Sequence, residues 1–407
     1  MFKKLLVTSL IILSMVLSFT VVPALADDEL YNAVTVSKVL AATNLSQLQA
    51  KGAILMDSAS GTVIMEQNSN QKLPIASVTK VMTMLLVMES IESGKIRYED
   101  YVTVSAHAVS MGGSQLYLDQ KESKKYTVKD MLKGIAIHSS NDATVAMAEM
   151  VAGSEGAFVT AMNDKAKELG LKDSNFLDCT GLTDDGHYSS AYDMAVIARE
   201  LINKYPQILE YTSIKRDKFG EGVRTKPMDL DNTNRLLGKY DGMLGLKTGF
   251  TNKAGHNLVG VAKKNGLQLI SVVLGESNSD TRWAETIKLL DHGFANYETT
   301  VVNKKSEEAG EVKVLKGLAT TVKGIYADDV TVLLKKGDKA KIVREIVWQD
   351  GITAPVKAGQ KLGEAVLKVD EKEIGKAEII AESDVQKASF IRLFFRMVME
   401  WFGLGRK

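Results

Sequence analysis

The sequence predicts an α/β or α+β domain, in which helices cover one sheet, followed by a small all-β domain of sandwich type and an amphipathic tail helix. Three observations support this fold class. Apolar runs around a Ser/Gly-rich turn begin the body of the chain, a block of helical patterns follows, and strand-like runs return before residue 297. Strands on both sides of a helical block are typical of a sheet covered by helices. The 407 residues, 45% hydrophobic and 25% charged, are enough for two domains.

The elements of the first domain can be assigned in chain order. A β-hairpin is predicted by "GAILMDSASGTVIMEQ". A helical pattern from about residue 127 to 170 is broken in the middle by "HSSN" and ended by glycine, and another amphipathic helix is predicted by "YSSAYDMAVIARELINKY". Strands and Gly-rich turns are predicted by "DGMLGLKTGFTNKAGHNLVGVAKKNGLQLISVVLG", and a closing helix by "TRWAETIKLLDHGFANY".

The pattern changes after residue 297, at "KKSEEAGE". Up to about residue 382, short β-branched runs such as "VTVLLKK" and "KIVREIVW" alternate with Gly, Asp and Lys, and no long helical pattern occurs. This spacing is typical of a small all-β sandwich. We therefore predict a first domain over 27–297 and a β-sandwich-like domain over 298–382.

The last segment, residues 383–407, predicts an amphipathic helix. Arg392, Arg396 and Glu400 lie on one stripe, while apolar side chains cover much of the remainder. Those apolar side chains are Phe390, Phe394, Met397, Val398, Trp401 and Leu404. The three charges disfavour a spanning helix and the excess of basic residues favours anionic lipid headgroups, so we expect an anchor at the membrane surface. The alternative is a terminal helix docked on the protein's own β-domain.

The first 26 residues predict a secretory signal peptide. Two lysines in "MFKK" precede the apolar core "LLVTSLIILSMVLSFTVV", and "PALA" ends with the small residues Ala24 and Ala26 at alternate positions. Cleavage is expected before Asp27, and an uncleaved membrane anchor is the alternative. In either case we expect the remaining chain to lie outside the cytoplasm.

Composition argues against several classes of site. Cys179 is the only cysteine, and no HExxH pair occurs among the five histidines, so we expect no disulfide, no metal and no cofactor. The signal region carries two of the 51 basic residues, and residues 386–407 carry five basic and one acidic residue, which leaves 44 basic and 49 acidic residues in the body. A mildly acidic body disfavours a nucleic-acid surface.

A serine and a lysine stand three residues apart in "LPIASVTKVM", where an apolar helical pattern begins. Positions i and i+3 share a helix face, so Ser77 Oγ and Lys80 Nζ can meet, with Lys80 as the base that takes the serine proton. The lysine pKa would have to fall from about 10.4 to near 7, which burial or a second cation can cause. Taken alone, the pattern is better explained by a capping serine and a solvated lysine.

Two further motifs change this interpretation. The stretch "HSSN" places Ser139 and Asn141 at a break between helical runs, where short polar side chains can project into a cleft. The stretch "LKTGF" places Lys247, Thr248 and Gly249 in a strand-like run. Glycine there allows a substrate backbone to approach closely, and the lysine supplies a second cation. Each motif also fits a simple turn or edge strand, but the three in this order indicate one site.

The order S-x-x-K, S-x-N and K-T-G resembles that of the penicillin-recognising serine acyl-transferases, which include the penicillin-binding proteins and the serine β-lactamases. A narrower resemblance, to the low-molecular-mass D-alanyl-D-alanine carboxypeptidases, is found in "LPIASVTKVMT", "HSSNDATVAMAE", "TGLTDDGHYSSAYDMA", "DGMLGLKTGFTNKAGHNLVG" and "TIKLLDHGF". The β-rich second domain and the tail are also similar to that family's arrangement. The resemblance implies a transpeptidase-like domain with a helix-covered antiparallel sheet. It also implies removal of the terminal D-alanine from a peptidoglycan stem pentapeptide, with β-lactams as substrate mimics.

The resemblance implies roles for the first two motifs. Ser77 matches the nucleophile that forms the acyl-enzyme, and Lys80 matches the base that takes its proton. Ser139 matches a residue that relays a proton. Asn141 matches the residue that orients both Lys80 and the substrate amide.

The third motif and the oxyanion hole are assigned in the same way. Lys247 matches a lysine that contacts substrate, with Thr248 and Gly249 beside it. The backbone N–H groups of the nucleophile and of Phe250 would form the oxyanion hole. Arg282 resembles the arginine whose guanidinium receives the terminal carboxylate of the substrate. Some relatives have histidine where this chain has Phe250, so the resemblance assigns no role to that side chain.

Three other functions compete with this one. A serine β-lactamase shares the motifs but needs rapid deacylation, which in one class relies on a loop glutamate. Glu200 and Asn203 in "RELIN" are poor candidates because they lie inside a helical pattern. A transpeptidase would differ only in whether an amine or water takes the acyl group. A wall-binding protein with an inactive site is disfavoured because every residue that the chemistry needs is present.

Overall fold

The structure is a computed structural model that describes residues 48–183 and 185–401. The predicted signal peptide, residues 1–26, lies outside the described residues. So do residues 402–407 of the predicted tail helix, which include Leu404.

The strands of the first domain are β1 (Gly52–Asp57), β2 (Val63–Gln67), β3 (Arg216–Phe219), β4 (Met228–Asp231), β5 (Met243–Thr251), β6 (Gly255–Lys264) and β7 (Leu267–Glu276). Five of them form an antiparallel sheet in the order β2-β1-β7-β6-β5. β5 is therefore an edge strand. The other two, β3 and β4, pair as a separate hairpin that the sequence patterns did not indicate.

The helices of the described chain are α1 (Lys80–Glu92), α2 (Ala106–Val109), α3 (Val128–Lys133), α4 (Asn141–Ala152), α5 (Glu155–Glu168), α6 (Ala191–Lys204), α7 (Ile208–Thr212), α8 (Ser279–Asn296) and α9 (Phe390–Trp401). Local sequence explains where several of them begin and end. Ser190 Oγ accepts a hydrogen bond from the Asp193 N–H and so caps α6. Gly153, with φ +84°, ends α4 in the left-handed conformation that glycine adopts without strain.

Helices cover both faces of the sheet because its inner strands are apolar on both sides. Successive side chains of a strand point to opposite faces. In β1, Ile54 belongs to the core that includes buried residues of α1, α4 and α6, whereas Leu55 belongs to a second core with Leu289 and Leu290 of α8. Fully burying a side chain of this size contributes about 1.5–3 kcal/mol. The predicted helix-covered antiparallel sheet is confirmed.

The strands of the second domain are β8 (Tyr297–Asn303), β9 (Glu308–Lys313), β10 (Thr321–Tyr326), β11 (Val330–Lys335), β12 (Val343–Trp348), β13 (Lys361–Val369) and β14 (Lys372–Ala381). They form a five-stranded sheet in the order β12-β13-β14-β10-β9 and a separate β11-β8 pair. Val332 and Leu334 of the pair share a core with Leu367 and Ile379 of the larger sheet. The prediction of a small, sandwich-like all-β domain is confirmed.

The tail helix α9 exposes its apolar side chains. Phe390 is 82% exposed and Trp401 is 85% exposed. The contact with the β-domain is made by Arg396, whose guanidinium donates to Gly317 O at 3.1 Å and Leu318 O at 3.2 Å. This contact fits the alternative of a terminal helix docked on the β-domain, whereas the exposed apolar side chains fit an anchor at the membrane surface. In the described part of the chain, no helix has the length and apolarity needed to cross a bilayer.

Candidate active site

Ser77 lies in a short 3₁₀ turn, Ala76–Thr79, that leads directly into α1. The caps of this turn and of α1 contain no side-chain hydrogen bond, so Ser77 is not a capping residue. Instead, Ser77 Oγ accepts a hydrogen bond from Lys80 Nζ at 2.9 Å. The spacing of three residues places both side chains on the same side of the turn. The interpretation as a capping serine and a solvated lysine is wrong.

Lys80 is completely buried at the first position of α1. Its Nζ also donates to Thr180 O at 2.8 Å. Burial lowers the pKa of Lys80 to about 7, against smaller opposing effects of Cys179 and Asp178. A large fraction of the amine is therefore neutral near pH 7, as a general base requires.

The predicted second cation, Lys247, is not the main cause of this shift. Burial is the largest influence on both lysines. The repulsion between them acts at Lys247, whose pKa is held well below its usual range by burial, then by Lys80 and by Arg282. Lys247 is itself 1% exposed, and its Nζ donates to Thr248 O at 3.0 Å. The two amines together therefore carry less than two full charges near neutral pH.

The "HSSN" motif interrupts the helical run where it was predicted to. Ser139, with φ 64° and ψ 32°, ends a π turn over Gly134–His138, and α4 begins two residues later. Asn141 N donates to Ser114 O at 2.7 Å, and its side-chain Nδ2 donates to Gly112 O at 2.7 Å. Its Oδ1 is buried and has no hydrogen-bond partner among the described residues. The Asn141 amide thus fixes the 112–114 loop, and the predicted contact with Lys80 is absent from the hydrogen bonds of the described residues.

The "KTG" motif lies on edge strand β5, beside the Ser77 turn. A Cβ at Gly249 would lie 2.7 Å from Ile75 O and 3.0 Å from Ser77 N, so only glycine lets the strand come this close to the nucleophile. Thr248 Oγ1 donates to Thr233 Oγ1 at 2.7 Å. The protein's own turn makes this close approach, and the predicted approach of a substrate backbone stays a prediction.

Arginine and aromatic side chains form the other end of the site. Arg282, on α8, is 6% exposed and donates to Asn257 O at 3.3 Å, while its guanidinium carbon lies 3.9 Å from the centre of the Trp283 ring. Burial, and then repulsion by Arg235, lower the pKa of Arg282 to about 10. Phe250 is 54% exposed and stacks on His256 with ring centres 4.4 Å apart.

A cavity of about 600 Å³ joins these features. The predicted residues that line it are Ser77, Ser139, Thr248, Gly249, Phe250 and Arg282. Lys80, Asn141 and Lys247 are buried and are not among the lining residues. The lining residues that sequence reasoning missed are Ser114, Asp231, Asn232, Thr233, Arg235, His256, Ser279 and Trp283. The polar run "DNTNR" shortly before "KTG" was the available signal for four of them.

A segment over 178–183, here called the covering segment, lies over Lys80. It offers the lysine a carbonyl, Thr180 O, and the Asp178 carboxylate is occupied by the backbone N–H groups of Thr180, Gly181 and Thr183. Glu200 pairs with Lys204 at 2.5 Å on α6, so it is tied to its own helix.

A serine whose hydroxyl is bonded to a buried, partly neutral lysine, beside a glycine-containing edge strand and a buried arginine, is the arrangement of a serine acyl-transferase. The profile of the D-alanyl-D-alanine carboxypeptidase family matches residues 37–278, and that of the penicillin-binding protein 5 C-terminal domain matches residues 297–387. The chain belongs to the D-alanyl-D-alanine carboxypeptidase family.

Individual relatives agree with this assignment. D-alanyl-D-alanine carboxypeptidase DacF of Bacillus subtilis (strain 168) is 46% identical over 354 residues, which are 87% of this chain and 90% of that protein. DacC of Escherichia coli (strain K12) is 34% identical, covering 88% and 90%. The crystal structure of penicillin binding protein 5 from Haemophilus influenzae matches with a TM-score of 0.74 and 34% identity, covering 85% of this chain and all of that one. Penicillin-binding protein D2 from Listeria monocytogenes, in its ampicillin-bound form, matches with a TM-score of 0.55 and 31% identity over 61% of this chain and 98% of that one.

Proposed function

We propose that this protein is a serine-type D-alanyl-D-alanine carboxypeptidase that removes the terminal D-alanine from peptidoglycan stem pentapeptides. The observation that carries the proposal is the 2.9 Å hydrogen bond between Lys80 Nζ and Ser77 Oγ, with burial lowering the pKa of that lysine to about 7. A serine hydroxyl is a weak nucleophile until a neighbouring base takes its proton, and this pair supplies nucleophile and base together. The relatives named above carry the same activity in their names.

Acylation follows from the geometry of the pair. Neutral Lys80 takes the Ser77 proton while Oγ attacks the carbonyl carbon between the last two D-alanines. The backbone N–H groups of Ser77 and Phe250 stabilise the oxyanion that forms. The peptide C–N bond then breaks, the proton passes to the leaving amine through Lys80 and Ser139, and free D-alanine departs. An ester between Ser77 Oγ and the shortened stem peptide remains until water cleaves it.

The arginine end of the cavity suits the substrate's terminal carboxylate. Arg235 repels Arg282 and lowers the pKa of that guanidinium. A carboxylate placed between the two guanidinium groups would relieve that repulsion and accept charge-assisted hydrogen bonds. Thr248 also lines the cavity, and Lys247 is buried beside it. The Oδ1 of Asn141, which has no partner among the described residues, would accept a hydrogen bond from the substrate amide. A β-lactam carries a similar carboxylate next to its reactive carbonyl, so we expect it to acylate Ser77 as well.

Labelled penicillin and a synthetic pentapeptide test the proposal. The protein should form a covalent adduct that peptide mapping places on Ser77, and it should release D-alanine from the pentapeptide. Lys80→Met, which keeps the buried volume without the amine, should abolish both while leaving the melting temperature at or above that of the wild type. Lys204→Met, at an exposed lysine paired with Glu200, is the matched control and should keep both. A Lys80→Met protein that acylates normally would exclude this lysine as the base.

The competing activities differ in the fate of the acyl-enzyme. In the covering segment, a backbone carbonyl accepts from Lys80, and the Asp178 carboxylate is bonded to backbone N–H groups. Neither group is a free carboxylate that could activate water, so we expect a penicilloyl adduct to be hydrolysed slowly. Persistence of the adduct for minutes supports a carboxypeptidase, whereas its loss within seconds would indicate a β-lactamase. A tripeptide amine added to the pentapeptide assay separates hydrolysis from transpeptidation, because transfer yields a longer peptide in place of the acid.

We also propose that the protein lies outside the cytoplasm and binds a membrane surface through α9. The support is the apolar core followed by small residues in 1–26, and the exposed apolar side chains of α9, from Phe390 to Trp401, beside the basic Arg392 and Arg396. Aromatic side chains at a headgroup interface and basic residues near anionic lipid are both favourable. The mature chain from Asp27 should sediment with anionic vesicles, and the chain ending at Val385 should not. Equal sedimentation of the two would overturn the assignment of α9.

A further inference from the structure

The residue before the proposed nucleophile has an unusual backbone. Ala76 has φ +50°, in the left-handed region that residues with a Cβ rarely adopt. Its neighbour Ser77 would contribute both the attacking Oγ and an oxyanion-hole N–H. The conformation of Ala76 sets the direction of the peptide group between the two residues, and therefore the direction of that N–H. Whatever holds Ala76 in this conformation also positions the nucleophile.

Two contacts hold the Ala76 carbonyl. Thr79 Oγ1 donates to Ala76 O at 2.8 Å across the 3₁₀ turn. Gly181 of the covering segment packs against the same oxygen, and a Cβ at Gly181, where φ is +81°, would overlap it. Thr79 is completely buried. The carbonyl is therefore fixed by one hydroxyl and one backbone contact.

A buried histidine fixes that hydroxyl. His187 Nε2 lies 2.8 Å from Thr79 Oγ1, and His187 is 1% exposed. Thr79 has a single hydroxyl proton, which goes to Ala76 O, so the His187–Thr79 bond needs its proton on Nε2. At the other side of the ring, Leu177 N–H donates to Nδ1 at 3.2 Å, which requires Nδ1 to be an acceptor. Both contacts require the same neutral tautomer.

We propose that His187 is a positioning residue for acylation of Ser77, an inference that rests on the function proposed above. Through Thr79 it holds the Ala76 carbonyl, and with it the Ser77 N–H and Oγ. Its bond to Leu177 N–H fixes the residue that directly precedes the covering segment. Within that segment, Thr180 O accepts a hydrogen bond from Lys80 Nζ. One imidazole thus connects the nucleophile and its base without touching the substrate cavity. On the same side of the ring, Asp178 Oδ2 lies 3.8 Å from Nδ1.

Variants at Thr79 separate the hydroxyl from the side-chain volume. Thr79→Val keeps the branched shape but removes both hydrogen bonds, and we expect the second-order rate constant of penicillin acylation to fall about 10- to 100-fold, the loss that small misplacement of reacting groups causes. Thr79→Ser, which restores the hydroxyl, should recover most of the rate. Thr212→Val is the matched control, because that buried hydroxyl bonds to Leu244 O at 2.9 Å and has no link to Ala76. The control should acylate like the wild type.

Variants at His187 separate its two bonds. In His187→Gln the side-chain amide can donate toward Thr79, and in His187→Asn the amide oxygen can accept from Leu177 N–H. We expect His187→Gln to acylate faster than His187→Asn. In a Thr79→Val background the two should become equal, since the path through the hydroxyl is gone. A Thr79→Val protein that is folded and acylates like the wild type would overturn the proposal.

Two measurements keep this inference separate from the proposed function and from loss of folding. A wild-type protein that forms no adduct on Ser77 would refute the proposed function whatever the Thr79 variants do. Nitrogen chemical shifts of the wild-type His187 ring test the tautomer without any variant. They should show Nε2 protonated and Nδ1 unprotonated across the pH range of activity. A proton on Nδ1 would overturn the inference even if every variant failed to fold.

Discussion

At the scale of single residues, Lys80 shows how burial can give a lysine the pKa that a base needs. An amine buried among apolar side chains loses its hydration. Because the charged form depends on hydration more than the neutral form does, burial favours the neutral form. Burial lowers the pKa of Lys80 to about 7, while Ser77 Oγ and Thr180 O accept its hydrogen bonds. Its position in the core therefore keeps a large fraction of the amine neutral, as the proposed base requires. Neither of its two hydrogen-bond acceptors is a carboxylate or a histidine.

This pKa predicts the pH dependence of acylation. Only the neutral amine can accept the Ser77 proton, so the second-order rate constant for a penicillin should rise with pH and level off above a midpoint of about 7. The pKa of Arg282 is lowered only to about 10, so carboxylate binding should persist through that range. Stopped-flow acylation from about pH 5 to about pH 9 measures the profile. A rate that does not change with pH would contradict Lys80 as the base.

Arg235 gives a second prediction at this scale. It was missed in the sequence, lines the cavity and acts electrostatically on Arg282. Arg235→Ala should raise KM for a pentapeptide with a free terminal carboxylate about tenfold, since a charge-assisted hydrogen bond contributes about 1.5–3 kcal/mol, and should leave kcat within about threefold. The amidated pentapeptide should show a smaller effect. Arg97→Ala, at an exposed residue paired with Asp100, is the control. A loss confined to kcat would show that Arg235 does not act through carboxylate binding.

At the scale of elements, the site depends on how closely β5 approaches the Ser77 turn. The edge strand leaves room for a neighbour on one side, and Gly249 removes the side chain that would keep the turn away. The turn brings Ser77 N close to the strand. The proposed nucleophile and the two proposed oxyanion donors, the N–H groups of Ser77 and Phe250, therefore belong to two elements in contact. The reactive geometry is therefore a property of the junction and of neither element alone.

Gly249→Ala tests this junction. Its Cβ would lie 2.7 Å from Ile75 O and 2.9 Å from Val78 N, closer than real Cβ contacts, so strand and turn must separate. We expect acylation to slow about 100-fold, because displacements of about 1 Å have this effect on well-oriented reactions. Gly156→Ala is the control, since nothing lies within 4 Å of its Cβ position on α5. Penicillin acylation and thermal unfolding of both variants measure the effect. An unchanged rate in Gly249→Ala would show that the close approach is not needed.

At the scale of the whole molecule, a buried carboxyl pair joins the start of the described chain to α8. Glu285 accepts hydrogen bonds from Gln49 N at 2.5 Å and Ala50 N at 3.1 Å. Glu276, at the end of β7, is fully buried, and burial followed by its interaction with Glu285 raises its pKa to about 8. Neither carboxyl oxygen of Glu276 has a hydrogen-bond partner among the described residues, so burial and the nearby Glu285 carboxylate favour the neutral acid. The fold thus binds a proton that the unfolded chain releases.

The consequence is a loss of stability with rising pH. The unfolded glutamate releases its proton near 4.5, whereas the folded one keeps it up to about 8, so this group's contribution is complete below 4.5 and declines as pH rises to 8. Glu276→Gln, which has a similar shape and cannot ionise, should resemble the wild type at pH 4 and be more stable at pH 9. Denaturant unfolding at both pH values measures the difference. Equal stability of the two proteins at pH 9 would contradict the raised pKa of Glu276.

Much of the fold and part of the site could be predicted from local patterns. The hairpin at "GAILMDSASGTVIMEQ", the break at "HSSN" and the closing helix were predictable because periodicity and turn residues act over a few positions. The pair β3 and β4 was missed because each strand is only four residues long and five of their eight residues are charged. Among site residues, Ser77 and Lys80 could be paired by helical spacing, whereas Arg235 and Thr233 reach the cavity only through the loop that follows β4.

The sequence by itself determined which candidate residues are present and in what order, because S-x-x-K, S-x-N and K-T-G are each a few adjacent positions in the chain. Only the tertiary structure decided that Lys80 has the lowered pKa that the proposed base needs. Its pKa depends on burial, and burial depends on packing between residues far apart in sequence, such as the covering segment over α1. The same holds for Ala76, whose left-handed backbone is held by Thr79 and Gly181. Motif spacing encodes the identity of the groups, whereas their protonation and direction arise from long-range contacts.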